Sequence, residues 1–251
     1  MFDLNGRVAL VTGAGQGVGA GIAAALAAQG AAVAVNDVRA ERAEATVDAI
    51  VAAGGRAAIA AFDVTDYAAV TAAVDAVAGS LGPVDILVNN AGNGGAEGMR
   101  PQQFRESDPA SWEGPIRVNL YGVLHCSRAV INPMCDRGWG RVITISSGAG
   151  TVGLRIGVSP YGAGKGGGLS FMRHLAVETA RFGVTANTLA LGLMNVQGAP
   201  NETTASLARQ IPVGRLGTPA DIGGACVYLA SDEASWMTGQ TIQINGGAVT
   251  T

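Results

Sequence analysis

A chain of 251 residues, 48% hydrophobic and 14% charged, with 38 glycines, suits one α/β domain over residues 1–251 with a large core and many tight turns. Its 19 acidic and 16 basic residues leave a net charge of −3 without a basic stripe, which argues against nucleic acid as a partner. The N-terminus lacks a basic-then-apolar leader pattern, and no run of about 18 apolar residues occurs, so a globular, cytoplasmic protein with no membrane partner is expected.

The first apolar run, Val8–Val11, ends in Thr12-Gly13-Ala14-Gly15-Gln16-Gly17-Val18-Gly19 and opens an alanine-rich helical stretch, Gly19–Gln29. Glycines in a strand-turn-helix setting let the backbone approach a pyrophosphate, whose charge meets free amides and the positive end of the helix dipole. Gly15, Gly17 and Ala20 fit the G-x-G-x-x-G/A dinucleotide fingerprint, whereas Gly13, Gly17 and Gly19 give G-x-x-x-G-x-G; both place the phosphate at this turn, with Gln16 and Val18 beside it. The second run, Ala32–Val35, leads to Asp37, where a carboxylate accepts from both adenosine ribose hydroxyls and repels a 2′-phosphate. NAD is therefore preferred over NADP, although Arg39 lies close by; the competing role for Asp37 is a cap or turn carboxylate at the helix Ala40–Ala53.

Ala57–Phe62 reads as a third buried strand, followed by Asp63 and Val64 at the adenine edge and a helix over Tyr67–Ser80. Ile86–Val88 leads into Asn89-Asn90-Ala91-Gly92, of which Asn90, Ala91 and Gly92 can line the adenosine side of the cleft; Asp and Asn are also common turn formers here. A long loop, Gly92–Gly98, and a helix over Trp112–Arg137 come next, then the strand Val142–Ile145 with Ser146 and Ser147 at its end. The helix Tyr161–Arg181, the strand Val184–Leu189, a loop over Gly192–Ser206, the helix Asp221–Ser231 and the strand Thr241–Ile244 complete the chain. This alternation implies a doubly wound, mostly parallel sheet of about seven strands with helices on both faces.

Tyr161 and Lys165, four residues apart on one helix, share a face and can enter one cleft. A nearby ammonium favours the phenolate and lowers a tyrosine pKa from its usual value of about 10, making the phenol a proton carrier. Lys165 can also bond a nicotinamide ribose. Ser147 can polarise a substrate oxygen as its charge rises, with Ser146 as the alternative if the register differs by one. His125 and His174 have no paired carboxylate spacing and read as structural, which discounts a serine hydrolase. Cys126, Cys135 and Cys226 lack metal-ligand or CxxC spacing, so no metal site is expected, and structurally buried, reduced thiols are.

These elements in this order, with Asn119 and the C-terminal run from Gly214-Arg215-Leu216-Gly217 through Thr238-Gly239-Gln240 to Gly246-Gly247, resemble the short-chain dehydrogenase/reductase family over nearly the full length. The resemblance implies a Rossmann fold, Tyr161 as general acid/base, Ser147 orienting substrate, Lys165 lowering the tyrosine pKa and holding the nicotinamide ribose, and Asn119 supporting a water-linked proton relay. It also implies that Gly192 contacts the cofactor and that the protein is a homotetramer. The sequence departs from the family where a Pro-Gly pair usually follows the sixth strand: Leu191 precedes Gly192, Val196 replaces a frequent threonine, and Asn195 can supply the missing bond. Asn245 replaces a frequent aspartate.

The function expected is reversible hydride transfer between NAD(H) and a secondary alcohol or ketone. The rivals are a β-ketoacyl-thioester reductase, with Arg137, Arg141, Arg173 and Arg181 as candidates for a carrier-landing patch, and a weakly catalytic dinucleotide-binding regulator. Met99, Leu154, Arg155, Ile156, Met194 and Trp236 are candidates to shape substrate choice, and Arg155 either binds an acidic group or faces water.

Overall fold

A computed structural model describes residues 1–92, 101–195 and 201–250. Met99, Val196 and the inner parts of the two expected long loops lie outside the described residues. Strands β1 (Val8–Val11), β2 (Ala32–Val35), β3 (Arg56–Ile59), β4 (Ile86–Asn89), β5 (Gly140–Ser147), β6 (Val184–Leu191) and β7 (Thr241–Ile244) form one seven-stranded sheet in the order β3-β2-β1-β4-β5-β6-β7. Every neighbouring pair is parallel. The direction of winding reverses between β1 and β4, which opens a crevice at the carboxyl ends of those strands.

Strand alternation feeds two cores. Ala9 and Val11 face one side of the sheet, with Ile22 and Leu26 of α1 (Gly17–Ala28), Ile50 of α2 (Ala40–Ala52) and Ile222 of the last long helix (Pro219–Ala230). Val8 and Leu10 face the other side, against Val70 and Val74 of α3 (Tyr67–Ser80) and, from helices further on, Val130, Met134, Met172 and Leu175. Burying one such Leu or Ile side chain contributes about 1.5–3 kcal/mol. Helices therefore cover both faces, as the alternation of elements implies.

Several sequence expectations change. The third strand is shorter than Ala57–Phe62 and half exposed, because it lies at the sheet edge with a partner only in β2. The helix expected over Trp112–Arg137 is α4 (Glu113–Ile116), a five-residue π-turn (Arg117–Tyr121) and α5 (Gly122–Arg137), an arrangement with no periodicity signal. The segment Gly192–Ser206 is not all loop: after α6 (Ser159–Thr179), α7 (Glu202–Ala208) begins within it, started by an Asn201/Thr204 capping box; α8 is Pro219–Ala230. Cys126 and Cys226 are buried but Cys135 is half-buried; all three thiols are free.

Candidate active site

The glycine turn is shaped by lack of room. Gly13 and Gly17 hold φ of +59° and +58°, the left-handed region, and a Cβ on Gly13 would lie 2.8 Å from Ala91 Cα. A Cβ on Gly19 would strike the Gly13 carbonyl and the Asn90 amide. These three positions give the second of the two spacings, and Gly15 has a separate role: a Cβ there would meet Asp37 Oδ2 at 2.7 Å. The first turn of α1 has neither a side-chain cap on Gln16 nor an acidic residue, so its amides are open to an anion. A cradle that a single methyl group would fill, beside an uncapped helix start, fits the pyrophosphate of a dinucleotide.

Side chains stitch that cradle to its neighbours. Thr12 Oγ1 accepts from the Asn90 and Ala91 N–H groups at 3.0 Å each, while Asn90 Nδ2 donates to the Thr12 and Gly13 carbonyls at 2.9 Å each. Asn36 Oδ1 accepts from Gly13 N–H at 3.1 Å, and its amide donates to Ala60 and Phe62 carbonyls. Sequence reading missed Thr12 and Asn36; the available signal was a polar residue directly after a wholly apolar strand. Asp37 stands two residues beyond β2, buried, with Oδ1 accepting from Arg39 N–H at 3.1 Å. Asp63 lies four residues beyond β3, exposed, and accepts from Thr65 N–H at 2.8 Å. Val64 is buried and its carbonyl meets His125 Nδ1 at 3.0 Å, which accounts for that histidine.

At the carboxyl end of β5, Ser146 is buried with Oγ directed at the Lys165 carbonyl at 3.3 Å, whereas Ser147 is half-buried and accepts from Ala149 N–H at 3.2 Å. The register therefore gives Ser147 to the cleft. Tyr161 lies in the first turn of α6, and Lys165 Nζ is 5.9 Å from its ring centroid. Burial pushes the phenol above its ordinary 10, and the hydrogen-bonding Ser147 hydroxyl pulls it back in part. The expected lowering by Lys165 is not what this arrangement gives: desolvation is larger, and the ammonium donates to the Ile145 carbonyl at 2.8 Å. Burial brings Lys165 itself from 10.5 to about 8.

Asn119 is buried inside the π-turn, with Nδ2 donating to the Pro115 carbonyl at 2.9 Å. A Cβ on Gly92 would lie 2.8 Å from Asn119 Oδ1 and 3.0 Å from Lys165 Nζ, so the fourth strand's loop, the π-turn and α6 meet at one point. Gly192 follows β6 with its N–H on the Ile244 carbonyl at 3.0 Å, and a Cβ there would lie 2.8 Å from Asn245 Cα. Asn245 Nδ2 donates to the Val249 carbonyl at 2.9 Å, a bond that aspartate has no proton to make. Met194 bridges to Gly217, and Asn195 N–H donates to the Gly217 carbonyl at 2.7 Å.

Two of the candidate carrier-contacting arginines are occupied elsewhere. Arg137 donates to Val84 O and pairs with Asp85 at 3.2 Å, and Arg141 is buried against Asp232; both lie at the amino end of the sheet. Six residues of strand separate Arg141 from Ser147, about 20 Å. Among the described residues no group of acidic, His and Cys side chains could hold a metal, and no helix is long and apolar enough to cross a membrane.

Residues 13–249 match the family model described as enoyl-(acyl carrier protein) reductase. The chain belongs to the short-chain dehydrogenase/reductase family, NAD(P)-dependent enzymes that act on CH–OH and keto groups. A relative from Thauera aromatica, (2S)-[(R)-hydroxy(phenyl)methyl]succinyl-CoA dehydrogenase subunit BbsD, is 38% identical over 247 residues, 97% of each chain. Among solved structures, a gluconate 5-dehydrogenase from Burkholderia cenocepacia in complex with NADP and tartrate aligns with TM-score 0.89 and 35% identity over 98% of this chain and 96% of that one. A 3-oxoacyl-[acyl-carrier protein] reductase from Brucella melitensis with bound NAD aligns with TM-score 0.91 and 32% identity over 99% and 94%.

Proposed function

We propose that the protein transfers hydride reversibly between NAD(H) and a secondary alcohol/ketone pair, with Tyr161 as the general acid/base. The observation that carries this reading is the gathering of Ser147, Tyr161, Lys165 and Asn119 at the carboxyl end of β5, on the same sheet edge as the Gly13–Gly19 cradle. The bound nicotinamide supplies the hydride acceptor or donor. In oxidation Tyr161 Oη takes the hydroxyl proton while Ser147 Oγ donates to the substrate oxygen; in reduction the same two groups hold the carbonyl and Tyr161 returns the proton. Lys165, held by the Ile145 carbonyl, bonds the nicotinamide ribose, and Asn119 supports the proton path beyond it.

Gly13, Gly15, Gln16, Gly17, Val18 and Gly19 hold the pyrophosphate side, and Asp63, Val64, Asn90, Ala91, Gly92 and Gly192 line the rest of the cofactor cleft. Asp37, buried against Gly15, accepts from the adenosine ribose and selects NAD over NADP. A homotetramer goes with this reading, supported by fully exposed Trp236 beside the edge strand β7; light scattering tests it. A thioester substrate is the second reading, supported by the CoA and acyl-carrier substrates in the names of two similar proteins. Replacing Tyr161 with Phe lowers turnover by at least a hundredfold while NADH still binds, followed by NADH absorbance and fluorescence titration. Full turnover in that variant defeats the assignment, and wild-type turnover with NADP matching that with NAD defeats the role given to Asp37.

A further inference from the structure

We infer that the substrate carries a free carboxylate, held by Arg155 on the loop joining Ser147 to Tyr161; this rests on the alcohol/ketone reading above and narrows it to hydroxy and keto acids. The loop is fixed at both ends. Thr151 and Val152 N–H groups donate to the Gly148 carbonyl at 3.0 and 2.9 Å, and the Gln102 N–H donates to the Gly157 carbonyl at 2.8 Å. Gly157 has φ +68°, and a Cβ there would lie 2.7 Å from the Gln102 backbone nitrogen, so no other residue makes this clasp without displacement.

Between the fixed ends, Gly153, Leu154, Arg155 and Ile156 are four exposed residues in succession, the two aliphatics at 43% and 55%. Exposed aliphatic side chains on a tethered loop beside a cleft are a surface for a ligand to cover. Arg155 is the sole charged residue from Gly148 to Gly164, eight positions after Ser147 and six before Tyr161. No hydrogen bond or ion pair joins it to another described residue, whereas Arg105, Arg117, Arg137, Arg141 and Arg215 each face a carboxylate. Arg173, also without a carboxylate, stands twelve residues along α6 from Tyr161, about 18 Å away.

A planar guanidinium matches a carboxylate in bidentate geometry. Covering Leu154 and Ile156 with the substrate body removes water from that pair and strengthens it. A polyanionic carrier calls for several cations, and Arg137 and Arg141 are bound at the far end of the sheet. A single cation with apolar flanks on this loop therefore suits a small hydroxy acid better than a phosphorylated carrier.

The test is a panel of aliphatic and alicyclic hydroxy acids, each run beside its methyl ester and its CoA thioester, with NADH absorbance as readout. Wild type is expected to favour acid over ester in kcat/KM by about tenfold or more. Arg155→Gln is expected to lower that ratio about tenfold, toward unity, mainly through KM, and Arg155→Lys to restore part of it. Thioesters or esters turned over as well as the acids, or a ratio unmoved in Arg155→Gln, overturn the inference. If no panel member reacts, calorimetric titration of NADH-loaded protein with cyclohexanecarboxylate and its methyl ester judges Arg155 on binding alone, apart from the alcohol/ketone reading. Carboxylate binding lost in Arg155→Gln upholds it, and equal binding of acid and ester overturns it.

Discussion

Two buried cations sit at opposite ends of β5 and are treated in opposite ways. Arg141, 3% exposed at the amino end, donates to the carbonyls of Gly140, Gly183 and Ser231, pairs with Asp232 at 3.3 Å and stacks on Trp139 with its carbon 4.3 Å from the ring centroid. Arg7 also stacks on this indole, its guanidinium carbon 3.6 Å from the ring centroid, so one aromatic ring meets two guanidiniums. Lys165, 7% exposed at the carboxyl end, has one hydrogen bond among the described residues, to the Ile145 carbonyl, and no carboxylate. The amino end is a satisfied structural joint. The carboxyl end keeps a charge poorly compensated, a state that favours chemistry over stability.

The largest effect should come from the satisfied end. Arg141→Leu leaves the Ser231 and Gly183 carbonyls without their donor, each a loss of roughly 1–3 kcal/mol, so destabilisation of about 3 kcal/mol is expected in urea melts. The ion pair itself contributes little to that figure, because Asp232 is 74% exposed. NADH affinity should hold, since the substitution is about 20 Å from Ser147 along the strand. A melt unchanged from wild type would erase the contrast between the two ends.

Lys165→Met should act with the opposite sign. The fall from 10.5 to about 8 corresponds to roughly 3 kcal/mol against the charged form, from which about 1 kcal/mol is subtracted for the lost bond to Ile145. A gain of about 2 kcal/mol at pH 7 is therefore expected, together with loss of at least a hundredfold in turnover. A variant that loses both stability and turnover would mean that Lys165 is as well satisfied as Arg141.

The same contrast explains what could be read from the residues. Strands β1, β2 and β7 begin and end where their apolar runs do, and a Y-x-x-x-K spacing on a helix marks two groups that do lie together. Strand β5 runs beyond Val142–Ile145 to Gly140–Ser147, since all eight residues pair with Val184–Leu191 and the register overrides side-chain polarity. The π-turn around Asn119 and the short polar helix α7 carry no distinct periodicity. Above all, the partners that tune the site are main-chain groups: the Ile145 carbonyl on Lys165, the Asn90 and Ala91 amides on Thr12. Every residue has such groups, so composition and spacing cannot single them out.

The most selective effect follows one proton. With a folded-state pKa near 8 and an ordinary value of 10.5, Lys165 is protonated in both folded and unfolded chains below about pH 8. There the stability gap between Lys165→Met and wild type should be constant and at its widest. Between about pH 8 and 10.5 the unfolded chain holds this proton and the folded chain does not, so rising pH stabilises the wild-type fold by up to about 1.4 kcal/mol per pH unit from this group. Protons on Tyr161 and the cysteines titrate in both proteins and largely cancel in the difference. The gap should therefore narrow as pH rises through this window, measured by paired urea melts from pH 7 to 10. Arg141→Leu should show no such narrowing, since the guanidinium it removes, although pulled down by burial, starts from 12.5, above this window; a parallel trend in both variants would assign the effect to general alkaline loosening rather than to a buried ammonium at the cleft.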